Sequence, residues 1–128
     1  MSKTFLLLGA VNTFLCIALG AFGAHGLKNI LSSEMLTIFH TGVQYHFYHA
    51  LGLLFIGLLL VNFAKSRLIE LSGWFMLLGI ILFSVSLYLL SLTEIRALGM
   101  ITPFGGVSFL IAWAILAIAL WKEKSPDQ

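Results

Sequence analysis

Apolar residues fall into four long blocks along the chain, each separated from the next by a short polar or glycine-rich interval. The blocks cover about residues 4–24, 43–64, 71–92 and 102–121. Each is close to the roughly 20 residues an α-helix needs to cross the hydrocarbon core of a bilayer. With links this short, the pattern predicts an all-α fold: four transmembrane helices in one antiparallel bundle, a single membrane domain over residues 1–128.

The interval before the second block has a pattern of its own. Ser32-Ser33-Glu34 reads as a helix start, a hydroxyl cap followed by an acid in the first turn. No proline follows as far as residue 64. Two arrangements fit: one helix over 34–64, longer than the bilayer is thick, or a separate interfacial helix over 34–41 with a hinge at Gly42. In the second arrangement Met35, Leu36, Ile38 and Phe39 face lipid or the bundle. Thr102-Pro103 reads as the cap and first-turn proline of the fourth helix. The first block ends in Ala-Phe-Gly-Ala, which resembles a signal-peptide cleavage site, but its apolar run is nearly twice the usual signal core and reads as a crossing.

Composition supports the membrane reading. Sixty per cent of residues are hydrophobic and only 9% are charged, against about a quarter in a soluble domain. Mean hydropathy is +1.06. A net charge of +2 with no clustered basic stretch gives nucleic acid no footprint. Lys3, Lys65, Arg67, Lys122 and Lys124 fall at one end of the predicted bundle, and Lys28 and Arg96 at the other. By the positive-inside rule both termini are cytoplasmic, the protein sits in the cell membrane, and Trp74 and Trp121 lie near the inner interface. Cys16 is the single cysteine, which leaves no intramolecular disulfide and no CxxC motif.

The candidate chemistry is concentrated in two stretches. His25 lies in "GAFGAHGLK" (20–28), and His40, His46 and His49 lie in "HTGVQYHFYHALG" (40–52). At 1.5 Å per helical residue all four reach the outer end of the bundle, where Gln44, Tyr45, Tyr48 and Arg96 join them in one polar cluster. His46 and His49, three residues apart, share a helix face. With His25 they could ligate one metal ion, with His40 as an alternative third ligand and Glu34 or Glu94 supplying a carboxylate. They could equally form a packing network with tyrosines, Gln44 and carbonyls, or hold a flat cofactor ring against Tyr45, Phe47 and Tyr48. Imidazoles at an outer interface could also respond to external pH.

Asn12, Ser84, Ser86 and Ser91, inside crossings, read as hydrogen-bonding positions between helices. Gly20, Gly23, Gly26, Gly42, Gly105 and Gly106 read as close-packing positions, and the glycines after Ala24 end the first helix. No acid lies within a crossing, and neither a nucleophile elbow nor a phosphate loop is visible, so nothing calls for an enzyme and no cofactor is required. The expected function is a small multi-pass membrane protein whose outer cluster packs the bundle or binds a membrane partner. The alternatives are a metal-ion, proton or cofactor site at that cluster, or a small oligomeric transporter, which the lack of an intramembrane acid disfavours. The bilayer is the surrounding partner, and a homo-oligomer or another membrane protein is compatible with the glycine-rich faces.

The stretches "GAFGAHGL", "TGVQYHFYHALG", "LFSVSLYLL" and "RALGMITPFGGVSFLIAW" together resemble the small membrane-protein family called domain of unknown function 423 or uncharacterised protein family 0382, with eukaryotic relatives called transmembrane protein 256. The resemblance covers nearly the whole chain. It implies about four helices in a bacterial inner or plasma membrane and implies no activity. The family-typical positions are Gly20, Gly23, Ala24, His25, Gly26, Thr41, Gly42, Gln44, Tyr45, His46, His49, Gly52, Arg96, Gly99, Thr102, Pro103, Gly105 and Gly106.

Overall fold

The computed structural model describes residues 1–123; Lys124, counted above with the cations of one end, and the polar tail after it lie outside the described residues. Helix α1 is Ser2–His25 and α2 is Ser33–Asn62. The third crossing, Arg67–Thr93, is built from α3 (Arg67–Gly79), a π-helical stretch (Ile80–Val85) and α4 (Ser86–Thr93). A short 3₁₀ turn, Arg96–Met100, leads into α5, Thr102–Lys122. Four helical stretches are long and apolar enough to span a bilayer, and among the described residues there is no strand.

Residues 33–62 form one continuous helix, which corrects the separate interfacial helix hinged at Gly42. Its start is the predicted one: the Ser32 hydroxyl accepts from the Met35 N–H at 3.2 Å, and Glu34 sits in the first turn. Gly42 is needed for closeness rather than for bending. A Cβ there would lie 2.9 Å from the Tyr88 ring. Thirty residues make α2 about 45 Å long, so it overhangs a core of about 30 Å. The start of α5 also differs in detail. Thr102 is its first residue rather than a cap, and its hydroxyl bonds the Ser86 hydroxyl at 2.6 Å. Gly26 follows α1 in ordinary right-handed geometry, so α1 ends there without a left-handed glycine.

α2 and the third crossing form the central pair, with α1 laid along α2 and α5 along the third crossing. The main core gathers Phe5, Leu53, Ile56, Leu60, Ile69, Met76, Phe109 and Leu116. A smaller cluster, Leu27, Phe39 and Tyr88, closes the end of the bundle away from the termini. Small residues set the approaches. A Cβ at Gly9 would meet the Leu54 backbone at 2.6 Å, and one at Gly57 would meet the Leu6 backbone at 2.8 Å, so α1 and α2 touch nearly main chain to main chain. Gly23 receives the Phe39 ring, and Gly20 lies in ordinary contact with Val43. Gly105 seats against the Phe83 backbone within the π-helical stretch. Gly26 and Gly106 do not seat another helix closely: Gly26 meets Phe22 of its own helix, and the space beside Gly106 is open to 3.9 Å.

Candidate functional site

His46 is buried in α2, and both its ring nitrogens are engaged. Nδ1 lies 2.9 Å from the Tyr88 hydroxyl, and Nε2 lies 3.0 Å from Asn12 Oδ1. The surrounding bonds fix the proton positions. Asn12 Nδ2 donates to the Leu8 carbonyl at 2.8 Å, which leaves Asn12 Oδ1, an acceptor only, facing His46. His46 Nε2 must therefore carry the N–H, and its Nδ1 accepts from Tyr88. One imidazole thus joins α2 to α1 on one side and to α4 on the other.

His49, one turn further along α2, is also buried and carries the opposite tautomer. Its Nδ1 lies 2.7 Å from the Tyr45 carbonyl, which can only accept, so Nδ1 carries the N–H. Its Nε2 accepts from the Trp113 indole N–H at 3.1 Å. The ring lies flat on Phe109, with centroids 3.4 Å apart and planes 8° from parallel. Gly79 makes room for Phe109 in this stack, because a Cβ there would collide with the Phe109 ring. Tyr45 and Phe83 pack 4.7 Å apart beside it. A second proton on His49 Nε2 would confront the Trp113 N–H, so the geometry calls for a neutral ring.

The eight residues of the predicted cluster do not form one site. His25 and His40 are exposed near the end of the bundle. Gln44 and Tyr48 lie on the open side of α2, bonded to each other at 2.6 Å. Tyr45 is partly exposed and stacks towards His49. Arg96 makes a two-pronged ion pair with Glu34, at 3.2 and 3.4 Å, across the exposed end. The convergence of His25, His46 and His49 on one ion is corrected as well. Three residues along a helix rotate a side chain by about 60°, and here that points His46 at α1 and α4 while His49 points at α5. Among the described residues no three His, Cys, Asp or Glu side chains come together as a metal site needs.

Two partners in this arrangement, Tyr88 and Trp113, are absent from the sequence-based list. Each had a signal in the sequence. A tryptophan or tyrosine deep inside an apolar run carries a polar hydrogen that the bilayer core cannot satisfy. Serines add further links between α3 and α5: Ser72 donates to the Ala112 carbonyl and Ser108 to the Phe75 carbonyl, each at 2.7 Å. Ser86 and Ser91 bond carbonyls three residues back, and the fully buried Ser84 hydroxyl has no partner. Asn12, His46 and Tyr88 also line a cleft of about 480 Å³ between α1 and the third crossing. Their polar atoms are turned towards one another, and Leu15, Leu19, Leu77 and Ile81 make the rest of the wall apolar.

Comparison with known proteins agrees over nearly the full length. A family model described as "Protein of unknown function (DUF423)" matches residues 19–106. The chain is similar to the UPF0382 membrane protein YwdK of Bacillus subtilis (strain 168), 49% identical over 120 residues that span 94% of this chain and 98% of that protein. It is similar to a UPF0382 membrane protein of Staphylococcus epidermidis, 47% identical over 94% of this chain and 97% of that one. The UPF0382 membrane protein SSP2132 of Staphylococcus saprophyticus is 45% identical, over 94% of this chain and 98% of its own. No solved structure matches.

Proposed function

The chain belongs to the DUF423 family of proteins of unknown function, and we propose that it is a non-enzymatic protein of the cell membrane in which His46 and His49 are joints between helices. The observation that carries this reading is the use of every ring nitrogen. Each of the four is committed to a partner inside the bundle, so neither histidine has a lone pair or proton left for a ligand or a reaction. Polar groups in a bilayer core are costly unless paired, and both are paired. Lys3, Lys65, Arg67 and Lys122 at the terminus-bearing end, against Lys28 and Arg96 at the other, support cytoplasmic termini. The open flank of α1, with Leu7, Phe14 and Ile17 exposed, is the face available to a membrane partner or a second copy.

The test is elemental analysis and an absorption spectrum on protein purified in mild detergent without chelator, beside His46→Leu and His49→Leu variants. The expected protein is colourless and holds no stoichiometric metal. Each variant should unfold more easily by about 1–3 kcal/mol, the worth of two transmembrane hydrogen bonds. A metal or chromophore near one per chain, lost in a variant that still folds, would overturn the reading in favour of a ligand site.

A further inference from the structure

A cavity of about 570 Å³ opens at the terminus-bearing end of the bundle, where α2 turns into the third crossing. It is lined by Lys65, Arg67, Glu70, Leu71 and Trp74. Lys65 lies in the link and Arg67 is the first residue of α3, so both cations stand at the level where the crossing begins. Trp74 is seven residues further on, about 10 Å deeper along the helix. The cavity thus runs from a cationic mouth to an apolar, aromatic wall.

Among the described residues, no carboxylate pairs with the charges at the mouth: the single ion pair joins Arg96 to Glu34 at the opposite end, and neither Lys65 nor Arg67 has a carboxylate within ion-pair distance. Glu70 offsets one of the two positive charges and leaves the lining net positive. The α3 start adds to this potential, because no side chain caps it and its first N–H groups keep their partial positive charge. Ser66, between the two cations in sequence, is buried behind the lining, and its hydroxyl has no partner.

We propose that this cavity binds the headgroup of an anionic phospholipid. The phosphate would sit between Lys65 and Arg67, and the upper part of an acyl chain would lie along Leu71 and Trp74. A free phosphate satisfies the charges but leaves the apolar wall unused. A zwitterionic lipid satisfies the wall but brings its own cation to a mouth that is already positive. An anionic lipid matches both halves, and its basic contacts are of the kind that attract such headgroups near a membrane surface. The assignment is independent of the roles given to His46 and His49.

The test is native mass spectrometry of the full chain in mild detergent, titrated with phosphatidylglycerol or with phosphatidylcholine of the same acyl chains. Phosphatidylglycerol should be retained preferentially. A Lys65→Gln, Arg67→Gln double variant should bind it about twenty-five-fold more weakly, from roughly fivefold per basic residue. The charge-keeping variant Lys65→Arg, Arg67→Lys and the control Lys122→Gln should bind as the unaltered chain does. Equal binding of the two lipids would overturn the proposal, as would a double variant that keeps its preference or a Lys122→Gln loss of the same size. Displacement of the lipid by millimolar inorganic phosphate would assign the site to a free anion instead.

Discussion

The Asn12–His46 contact offers the sharpest test of the hydrogen-bond logic, through Asn12→Leu. Leucine has the same branched side-chain shape as asparagine and suits a bilayer, so the change removes the acceptor facing His46, and with it the amide's own bond to the Leu8 carbonyl within α1, while leaving the packing nearly intact. The interhelical bond lost is 3.0 Å long. Interhelical hydrogen bonds in membranes average about 0.6 kcal/mol and reach about 1.7, so the loss in stability should be about 1 kcal/mol. The more specific consequence lies on the ring. In the unaltered chain Asn12 Oδ1 requires the proton on His46 Nε2, and the Tyr45 carbonyl requires it on His49 Nδ1. Once Asn12 is gone, His46 keeps only Tyr88, whose hydroxyl can accept as readily as donate. The proton can then move to Nδ1 and leave a bare lone pair facing the new leucine. Nitrogen-15 NMR of histidine-labelled protein in detergent should show two opposite tautomers in the unaltered chain. In Asn12→Leu the His46 signals should shift towards the Nδ1–H form while those of His49 stay fixed. Finding the same tautomer at both histidines of the unaltered chain, or a His49 response equal to that of His46, would refute the reasoning.

Two neighbouring glycines should behave in opposite ways. Gly105→Ala places a methyl against the Phe83 main chain, which cannot swing aside, and should cost about 1–3 kcal/mol; Gly106→Ala enters space open to 3.9 Å and should leave the melting temperature in detergent unchanged or slightly higher. Equal effects at the two positions would contradict the packing described. Ser84→Ala should leave stability unchanged or raise it by up to about 1 kcal/mol, because its buried hydroxyl is without a partner and its removal strands nothing; a clear loss in the same melting assay would mean that the hydroxyl is satisfied.

The crossings were legible because a bilayer imposes one rule on all of them: about 20 apolar residues, whatever their neighbours. The boundaries at 4–24 and 102–121 fall within a few residues of Ser2–His25 and Thr102–Lys122. Gly42 was read both as a close-packing position and as a hinge, because glycine in a helix serves either purpose, and only the position of Tyr88 decides for close approach. The same applies to Gly9, Gly57 and Gly79, which admit Leu54, Leu6 and Phe109 but look in sequence like any glycine in an apolar run. The histidine pair was legible as polar and buried, yet its direction was not. Two side chains about 60° apart share a face when one neighbour is considered and separate when the helix stands between several.

That separation bears on where function should be sought. α2 is one member of the central pair and α5 lies along the other, the third crossing; the His49 stack on Phe109 with its bond from Trp113 carries α5 across to α2. On the other flank, His46 and Asn12 tie α1 to α2. A histidine with both nitrogens committed to such ties can be exchanged only at the cost of a helix contact, so its value to the protein can be structural even when it looks like chemistry in sequence. The groups with capacity to spare lie elsewhere: Lys65 and Arg67 at the mouth of the terminus-bearing cavity, and the open flank of α1. A variant at either place leaves both histidine joints intact. Loss of binding there would therefore report on a ligand or partner, whereas loss after a histidine exchange would first report on the bundle.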